Sequence, residues 1–225
     1  MTNLFFDLDG TLTHSHDGIV RCIQYALSVC GSETPEASEL LRFVGPPLRE
    51  SFAGLLGTVD EAHLDRAMAA YRSRFETIGI FENVVCPGIS DTLETLSHSG
   101  YRLGVVTAKP TVYARRILDH FELAVYFDGV HGPDLSSRGY SKTSLIRDAL
   151  AATGLAASSV GMIGDRGEDV VGAKSNGVRA IAVSWGYGSL AELEATEPEI
   201  IVNSPSALLQ HLQTRRTELF EARHA

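Results

Sequence analysis

The chain begins with an apolar run, Leu4-Phe5-Phe6, that leads directly into two acidic residues, Asp7 and Asp9, and then into Gly10-Thr11. The run has the character of a short strand, and side chains two residues apart on a strand point to the same side. At roughly 5 Å and an effective dielectric near 20, two such carboxylates repel each other by about 3 kcal/mol. Because this repulsion contributes nothing to folding, the pair predicts a cation or a reactive group there. In the alternative interpretation, one acid caps the turn that follows and the other is solvated. That interpretation suits an isolated Asp-x-Asp better than this longer motif.

The composition is that of an ordinary globular protein. With 225 residues, 44% hydrophobic and 21% charged, the chain is long enough for an α/β domain with a smaller insert. Its formal net charge of −9 argues against nucleic acid and anionic membranes as partners, since both need a basic footprint. The apolar stretches are strand-length and the start of the chain is not signal-like, so we expect no membrane segment. Three cysteines without metal-ligand spacing predict free thiols and a cytoplasmic protein.

The chain changes its periodicity twice. Between residues 15 and 82 the apolar residues recur at helical spacing, and no strand pattern interrupts them. From Cys86-Pro87-Gly88 onward, helical segments and short β runs alternate. This alternation predicts an α/β fold with a doubly wound, mainly parallel sheet. We therefore expect a core formed by residues 1–14 and 83–225, with an all-helical domain, residues 15–82, inserted after the first strand.

Two local patterns make narrower predictions. The apolar run Val125-Tyr126-Phe127 predicts the start of a strand. Thr58 and Glu61 have the spacing of a capping box, which predicts that they open the helix that follows.

Polar residues follow several of the predicted strands. In open α/β sheets, ligands bind outside the carboxyl ends of the strands. The residues expected near that edge, besides the opening pair, are Thr107, Ala108, Lys142, Asp165 and Asp169. Taken singly, Thr107 could cap a helix, Lys142 could be solvated, and the late aspartates could favour a helix N-terminus. Together the carboxylates suit Mg²⁺, and a carboxylate in line with phosphorus can form an aspartyl phosphate.

These motifs, in this order, resemble the four motifs of the haloacid dehalogenase-like (HAD) hydrolase superfamily. The helical insert is similar to that superfamily's type-1 cap. Within the superfamily, residues 43–49 and the run Trp185-Gly186-Tyr187-Gly188 resemble the phosphoglycolate phosphatase-like branch. The resemblance implies a HAD-like Rossmannoid core and a Mg²⁺-dependent phosphatase that hydrolyses a small phosphorylated metabolite through an aspartyl phosphate.

The resemblance also implies catalytic and metal-binding roles. Asp7 would be the nucleophile and a metal ligand. Asp9 would be the general acid and base, with its backbone carbonyl on the metal. Asp165 would complete the protein ligands to Mg²⁺, and Asp169 would orient the metal's waters or Lys142.

Three residues are implied to hold the phosphate: Thr107, the backbone amide of Ala108, and Lys142. Position 108 departs from the pattern, since many relatives carry Asn there, and His14 stands near a position that is often acidic. In the insert, Gly45 and Arg49 belong to the candidate specificity segment, with Arg49 reaching a substrate anion. The alternative is that this segment only breaks a helix and that Arg49 is a surface residue.

The same residues argue for or against other functions. A phosphonatase of this superfamily would need a lysine in the insert, and residues 15–82 contain none. A dehalogenase would not need the second acid, Asp9. A phosphohexomutase on the same site stays open. The alternative outside the enzymes is a non-catalytic phospho-acceptor or binding domain. Receiver domains, which are phospho-acceptors, are about half this length and place the acceptor Asp on a middle strand. The substrate and the oligomeric state are left open.

Overall fold

In a computed structural model, the described residues are 2–44, 48–137 and 140–221, with side chains described as far as residue 215. The chain divides into two compact units, His14–Val84 and a second unit formed by Met1–Thr13 with Val85–Ala225. We call the first the insert unit and the second the core unit. The boundaries expected from the sequence, 14/15 and 82/83, lie within two residues of these.

Eight strands lie in the described part of the chain. They are β1 (Asn3–Phe6), β2 (Thr13–His14), β3 (Val84–Val85), β4 (Arg102–Val106), β5 (Gly129–His131), β6 (Val160–Gly164), β7 (Arg179–Val183) and β8 (Ile200–Val202). Six of them form one sheet in the order β5-β4-β1-β6-β7-β8, and β2 pairs with β3 separately. Every neighbouring pair in the six-stranded sheet is parallel. The predicted doubly wound, mainly parallel α/β fold is confirmed.

Strand β1 lies at the centre of this sheet, between β4 and β6. Its apolar side chains are buried, with Leu4 and Phe6 fully enclosed. A parallel central strand is covered on both faces, which is why β1 is a continuous apolar run rather than an alternating one. Phe6, its last residue, is opposite Val105 of β4 and Ile163 of β6. The residues that follow these three strands therefore emerge at one edge of the sheet.

Helices connect the strands of the core unit. They are α5 (Ile89–His98), α6 (Thr111–His120), α7 (Lys142–Thr153), α8 (Gly167–Ser175), α9 (Leu190–Ala195) and α10 (Pro205–Glu221). Helix α7 begins with a capping box in which the Ser141 side chain accepts from the Ser144 N–H and the Ser144 side chain bonds back to the Ser141 backbone. Gly154, at φ +67°, ends the same helix in the left-handed conformation that favours glycine. The capping box fixes where α7 starts, and therefore where Lys142 lies.

The insert unit is helical, as predicted. Its helices are α1 (His16–Val29), α2 (Ala37–Leu40), α3 (Leu48–Leu56) and α4 (Glu61–Arg74), followed by a π-helical turn, Phe75–Gly79. The capping prediction for α4 was wrong in detail. Its N-cap is Asp60, whose side chain accepts from the His63 N–H, while the Thr58 hydroxyl accepts from the Asp60 N–H. Asp60 directly precedes the helix, so its carboxylate reaches the first turn, whereas Thr58 lies two residues farther back along the chain.

The strand predicted to begin at Val125 was also wrong. Residues Ala124–Tyr126 form a single 3₁₀ turn, and the strand starts at Gly129, four residues after the predicted start. The side chain of Val125 is 82% exposed, so its β-branched character is not used in the sheet. Hydrogen bonds from Tyr126 N–H to Leu123 O and from Phe127 N–H to Ala124 O close the turn instead. No helix among the described residues combines the length and apolar character needed to span a membrane.

Candidate active site

The first three elements of the site follow neighbouring strands. Asp7 comes directly after β1, Thr107 after β4, and Asp165 after β6. Hydrogen bonds continue the sheet for one residue more, from Asp7 N–H to Ile163 O at 2.9 Å and from Thr107 N–H to His131 O at 3.0 Å. The sheet thus brings together residues that lie far apart in the sequence, at the edge where ligands bind in folds of this class.

A buried cluster of carboxylates lies at this edge. Oxygen atoms of Asp7, Asp165 and Asp169 all lie within 4.8 Å of one another, and each residue is at most 7% exposed. At 4.8 Å and an effective dielectric of about 20, each ionised pair repels by about 3 kcal/mol. The carboxylate of Asp9 is not in this group of described residues, and its predicted metal contact is through the backbone carbonyl.

Burial and like charge shift the acids strongly. Burial, together with the charges of Asp169 and Asp9, raises the pKa of Asp7 to about 6 although Lys142 opposes the shift. Burial, with the charges of Asp7 and Asp169, raises the pKa of Asp165 to about 7. A hard cation bound by oxygen ligands would remove the repulsion that causes part of both shifts. The donor set therefore fits a divalent metal such as Mg²⁺.

Lys142 places a cation beside the same acids. Its Nζ atom lies 2.7 Å from an oxygen of Asp7 and 2.7 Å from an oxygen of Asp169, and it donates to the Val106 carbonyl at 3.2 Å. Burial lowers the pKa of Lys142, but the charges of Asp169 and Asp7 outweigh burial and raise the pKa above its ordinary value. The lysine is therefore charged and held against the first acid of the chain.

A segment after β7 orients Asp165. One carboxylate oxygen of Asp165 accepts from the Thr11 hydroxyl at 3.0 Å, and the other accepts from the Tyr187 N–H at 2.8 Å. The indole N–H of Trp185 donates to the Thr11 carbonyl at 3.1 Å. The sequence of this segment, Trp185-Gly186-Tyr187-Gly188, predicts only a resemblance to a family branch. Its contribution here is to fix the direction in which Asp165 presents its oxygens.

Gly186 is required by this close approach. A Cβ atom at Gly186 would lie 2.3 Å from the Asp165 Cβ and 2.4 Å from its Oδ2. We expect Gly186→Ala to displace Asp165, to lower the free energy of unfolding by about 1–3 kcal/mol and to weaken Mg²⁺ binding. Urea unfolding without metal and a Mg²⁺ titration measure the two effects.

The matched control is Gly54→Ala. Gly54 is exposed in α3, and a Cβ there would meet nothing within 4 Å. Alanine at an exposed helix position stabilises by up to about 1 kcal/mol relative to glycine. Equal stability and equal Mg²⁺ binding in the two variants would contradict the role given to Gly186.

Asp9 has a partner that the sequence analysis missed. Its Oδ2 atom lies 2.9 Å from Nζ of Lys109, whose side chain is only 7% exposed. Lys109 follows Thr107-Ala108 and belongs to no recognisable motif. The chain contains only three lysines, Lys109, Lys142 and Lys174, and this small number is the one sequence signal that points to Lys109.

The predicted phosphate-binding loop is ordered by local hydrogen bonds. Thr107 is 1% exposed, and its hydroxyl oxygen accepts from the Lys109 N–H at 3.2 Å. It does not cap α6, whose N-cap is Pro110. The Ala108 carbonyl accepts from the Tyr140 hydroxyl at 3.3 Å. The Thr107 hydroxyl keeps its own proton to donate, so the loop is suited to bind anionic oxygens.

The remaining candidate residues are Arg49 and Gly45, from the insert, and Asp169. The guanidinium of Arg49 forms ion pairs within the insert unit, with Asp65 at 2.7 Å and with Glu61. Gly45 lies outside the described residues. Asp169, besides facing Lys142, accepts from the Arg166 N–H at 3.0 Å, and the Arg166 side chain pairs with Glu192 at 2.9 Å. To bind the substrate anion expected from the sequence, the Arg49 guanidinium would have to give up its ion pairs with Asp65 and Glu61.

Comparisons with known proteins identify the family of the chain. A family model for haloacid dehalogenase-like hydrolases matches residues 4–183. A 5'-nucleotidase from Pseudomonas aeruginosa is 42% identical over 212 residues, covering 94% of this chain and 96% of the relative. Tyrosine-protein kinase PtkA from Mycobacterium tuberculosis is 34% identical over 201 residues, covering 89% and 68%.

Solved structures show the same fold. The crystal structure of a predicted phosphatase from Clostridium acetobutylicum has a TM-score of 0.87 and 39% identity, covering 95% of this chain and 98% of that one. The family match spans most of the chain. The 5'-nucleotidase and the predicted phosphatase both match it over nearly their full lengths. The resemblance inferred from the motifs is therefore confirmed, and the chain belongs to the haloacid dehalogenase-like hydrolases.

Proposed function

We propose that this protein is a Mg²⁺-dependent phosphatase that hydrolyses a small phosphate monoester through an aspartyl phosphate on Asp7. The observation that carries the proposal is the position of Asp7. Its buried carboxylate contacts the cation of Lys142 and belongs to a cluster of acids suited to a metal. A nucleophile for a phosphoryl group needs cations around it, because the group it attacks is itself anionic.

The proposed metal ligands are Asp7, the carbonyl of Asp9, and Asp165, with Asp169 supporting the metal's waters or Lys142. A bound Mg²⁺ would neutralise charge on the phosphoryl oxygens and on the carboxylates. The hydroxyl of Thr107, the N–H of Ala108 and the ammonium of Lys142 would bind the remaining oxygens of the phosphoryl group. This leaves the phosphorus facing the Asp7 carboxylate.

In the first step, an oxygen of Asp7 forms a bond to phosphorus while the bond from phosphorus to the ester oxygen breaks. The electron pair leaves with that oxygen, which takes a proton from the Asp9 carboxyl and departs as an alcohol. In the second step, water attacks the phosphorus of the aspartyl phosphate, and the bond to the Asp7 oxygen breaks. Asp9, now a carboxylate, takes the proton from the water, and inorganic phosphate leaves.

A panel of phosphate esters tests this function. It contains nucleoside 5'-monophosphates, phosphoglycolate, sugar phosphates, pyrophosphate and p-nitrophenyl phosphate, each assayed with Mg²⁺ and with a chelator. Nucleotides come first because of the P. aeruginosa 5'-nucleotidase relative. We expect phosphate release from at least one monoester and its loss with the chelator. No release from any of them would contradict the proposal. A phosphohexomutase would show itself by isomerising a sugar phosphate without releasing phosphate.

Mg²⁺ affinity is expected to depend steeply on pH. The pKa values of Asp7 and Asp165 are raised to about 6 and about 7, so below these pH values the metal must displace protons. From pH 8 to pH 5 we therefore expect affinity to fall by about two to three orders of magnitude. Calorimetry in two buffers of different ionisation enthalpy counts the protons released, expected near two at pH 5 and near none at pH 8. An affinity independent of pH across this range would contradict the metal assignment.

Substrate choice is assigned to the insert unit, with Gly45 and Arg49 as the first candidates. Arg49 is the candidate for a substrate anion, and an anion bound there would replace its ion pairs with Asp65 and Glu61. None of the three cysteines, which all lie among the described residues, forms a disulfide, and this fits the proposed action on cytoplasmic metabolites.

A further inference from the structure

The side chains of Lys109 and Asp9 form a mostly buried ion pair. The Lys109 side chain is 7% exposed and that of Asp9 is 20% exposed, with 2.9 Å between Nζ and Oδ2. Removing an ammonium group from water is costly unless it is paired, so a lysine in this position is stable only through its partners. A surface lysine would keep its head in solvent instead.

The backbone of Lys109 is fixed as well. Its N–H donates to the Thr107 hydroxyl oxygen at 3.2 Å. On its other side, a Cβ atom at Gly132 would lie 2.4 Å from the Lys109 carbonyl oxygen, so the two backbones are in close contact. Lys109 is thus anchored to the predicted phosphate-binding loop while its side chain reaches the second acid of the opening motif.

The two oxygens of Asp9 have different surroundings. Oδ2 faces Lys109, whereas Oδ1 is buried and has no hydrogen-bond partner among the described residues. An ammonium group is only a donor, so it cannot face the O–H of a carboxylic acid. Lys109 therefore occupies Oδ2 and leaves Oδ1 as the oxygen of Asp9 that has no hydrogen-bond partner among the described residues.

We propose that Lys109 is a positioning residue that fixes which oxygen of Asp9 carries the proton delivered to the leaving group. This inference rests on the proposed function, because it assumes that Asp9 protonates the departing ester oxygen. Lys109 acts here only through Asp9. Lys142, by contrast, faces Asp7 and Asp169, beside the transferred phosphoryl group.

Two kinds of ester separate this role from phosphate binding or simple structural support. The oxygen of p-nitrophenyl phosphate leaves as a stable anion and needs little help from an acid, whereas an alkyl oxygen needs the proton. The quantity to compare is kcat/KM, which includes the steps up to transfer to the enzyme. The two esters are p-nitrophenyl phosphate and the alkyl monoester that the wild-type protein hydrolyses fastest in the panel.

For Lys109→Met we expect kcat/KM for the alkyl ester to fall by about 30- to 100-fold and that for p-nitrophenyl phosphate by less than about threefold. Lys109→Arg keeps a charged donor and is expected to restore most of the alkyl activity. Lys109→Gln replaces the methionine variant if that variant does not fold. The matched control is Lys174→Met, which removes a lysine that donates to the carbonyls of Thr196 and Glu197. It should leave both esters unchanged.

An equal loss on both esters would overturn the inference, since a phosphate-binding or structural role affects both alike. Unchanged kcat/KM for the alkyl ester would overturn it too. In either case the wild-type activity still supports the proposed function. A wild-type protein that releases phosphate from no monoester would overturn the proposed function, and this inference with it.

Discussion

Replacing Asp7 with Asn is expected to lower phosphate release by at least about four orders of magnitude, with no residual dependence on Mg²⁺. The amide has nearly the same shape as the carboxylate but cannot form the covalent bond to phosphorus. It also removes one of the three acids whose oxygens lie within 4.8 Å of one another. The measurement is steady-state phosphate release from the best monoester of the panel, at saturating Mg²⁺.

The Asp7→Asn protein is expected to stay folded. Burial and the neighbouring acids raise the pKa of Asp7, which shows that its charge is unfavourable in the metal-free state. Lys142 keeps Asp169 as a partner at 2.7 Å when Asp7 is neutral. Asp119→Asn, a change of the same size on the exposed side of α6, is the matched control and should keep full activity. Activity within tenfold of the wild type in Asp7→Asn would contradict the assignment of the nucleophile.

The second large effect is expected for Asp9→Asn. With an alkyl ester, turnover should fall by about two to four orders of magnitude, because both the acid and the base of the proposed reaction are removed. Mg²⁺ binding should persist, since the predicted contact from this residue is the backbone carbonyl. Phosphate release and a Mg²⁺ titration on the same preparation measure the two properties. Lost metal binding, or turnover near that of the wild type, would contradict the role of Asp9.

With p-nitrophenyl phosphate the same variant should behave differently. Its leaving group needs little protonation, so transfer to Asp7 should proceed while hydrolysis of the phosphoenzyme is slow. We therefore expect a burst of p-nitrophenol equal to the enzyme present, followed by a slow phase. A matched comparison is Lys109→Met, in which the base is misplaced rather than removed.

Much of this site follows from local sequence signals. The residues after β1, β4 and β6 were predictable because an apolar run that ends in polar residues marks the carboxyl end of a buried strand. Once the sheet was predicted to be parallel, the meeting of Asp7, Thr107 and Asp165 at one edge followed from topology. The helical character of residues 15–82 was equally plain from its period.

The pairing of side chains across the site was not predictable in this way. Lys109 and Lys142 lie among four aspartates, and the pairing of Lys109 with Asp9 depends on distances that no local pattern contains. The hydrogen bonds from Trp185 to the Thr11 carbonyl and from the Tyr187 N–H to Asp165 also join segments that are far apart in the sequence. At Val125, β propensity predicted a strand, but the side chain is exposed and the backbone turns.

The most direct test of a covalent aspartyl phosphate is to trap it. Asp9→Asn is mixed with p-nitrophenyl phosphate and Mg²⁺, quenched in acid during the slow phase, digested, and mapped by mass spectrometry. We predict a phosphoryl group on the peptide that contains Asp7, located to Asp7 itself and absent from an Asp7→Asn/Asp9→Asn protein treated in the same way. A phosphoryl group on another residue, or p-nitrophenol released in a burst without any phosphorylated peptide, would contradict the proposed mechanism.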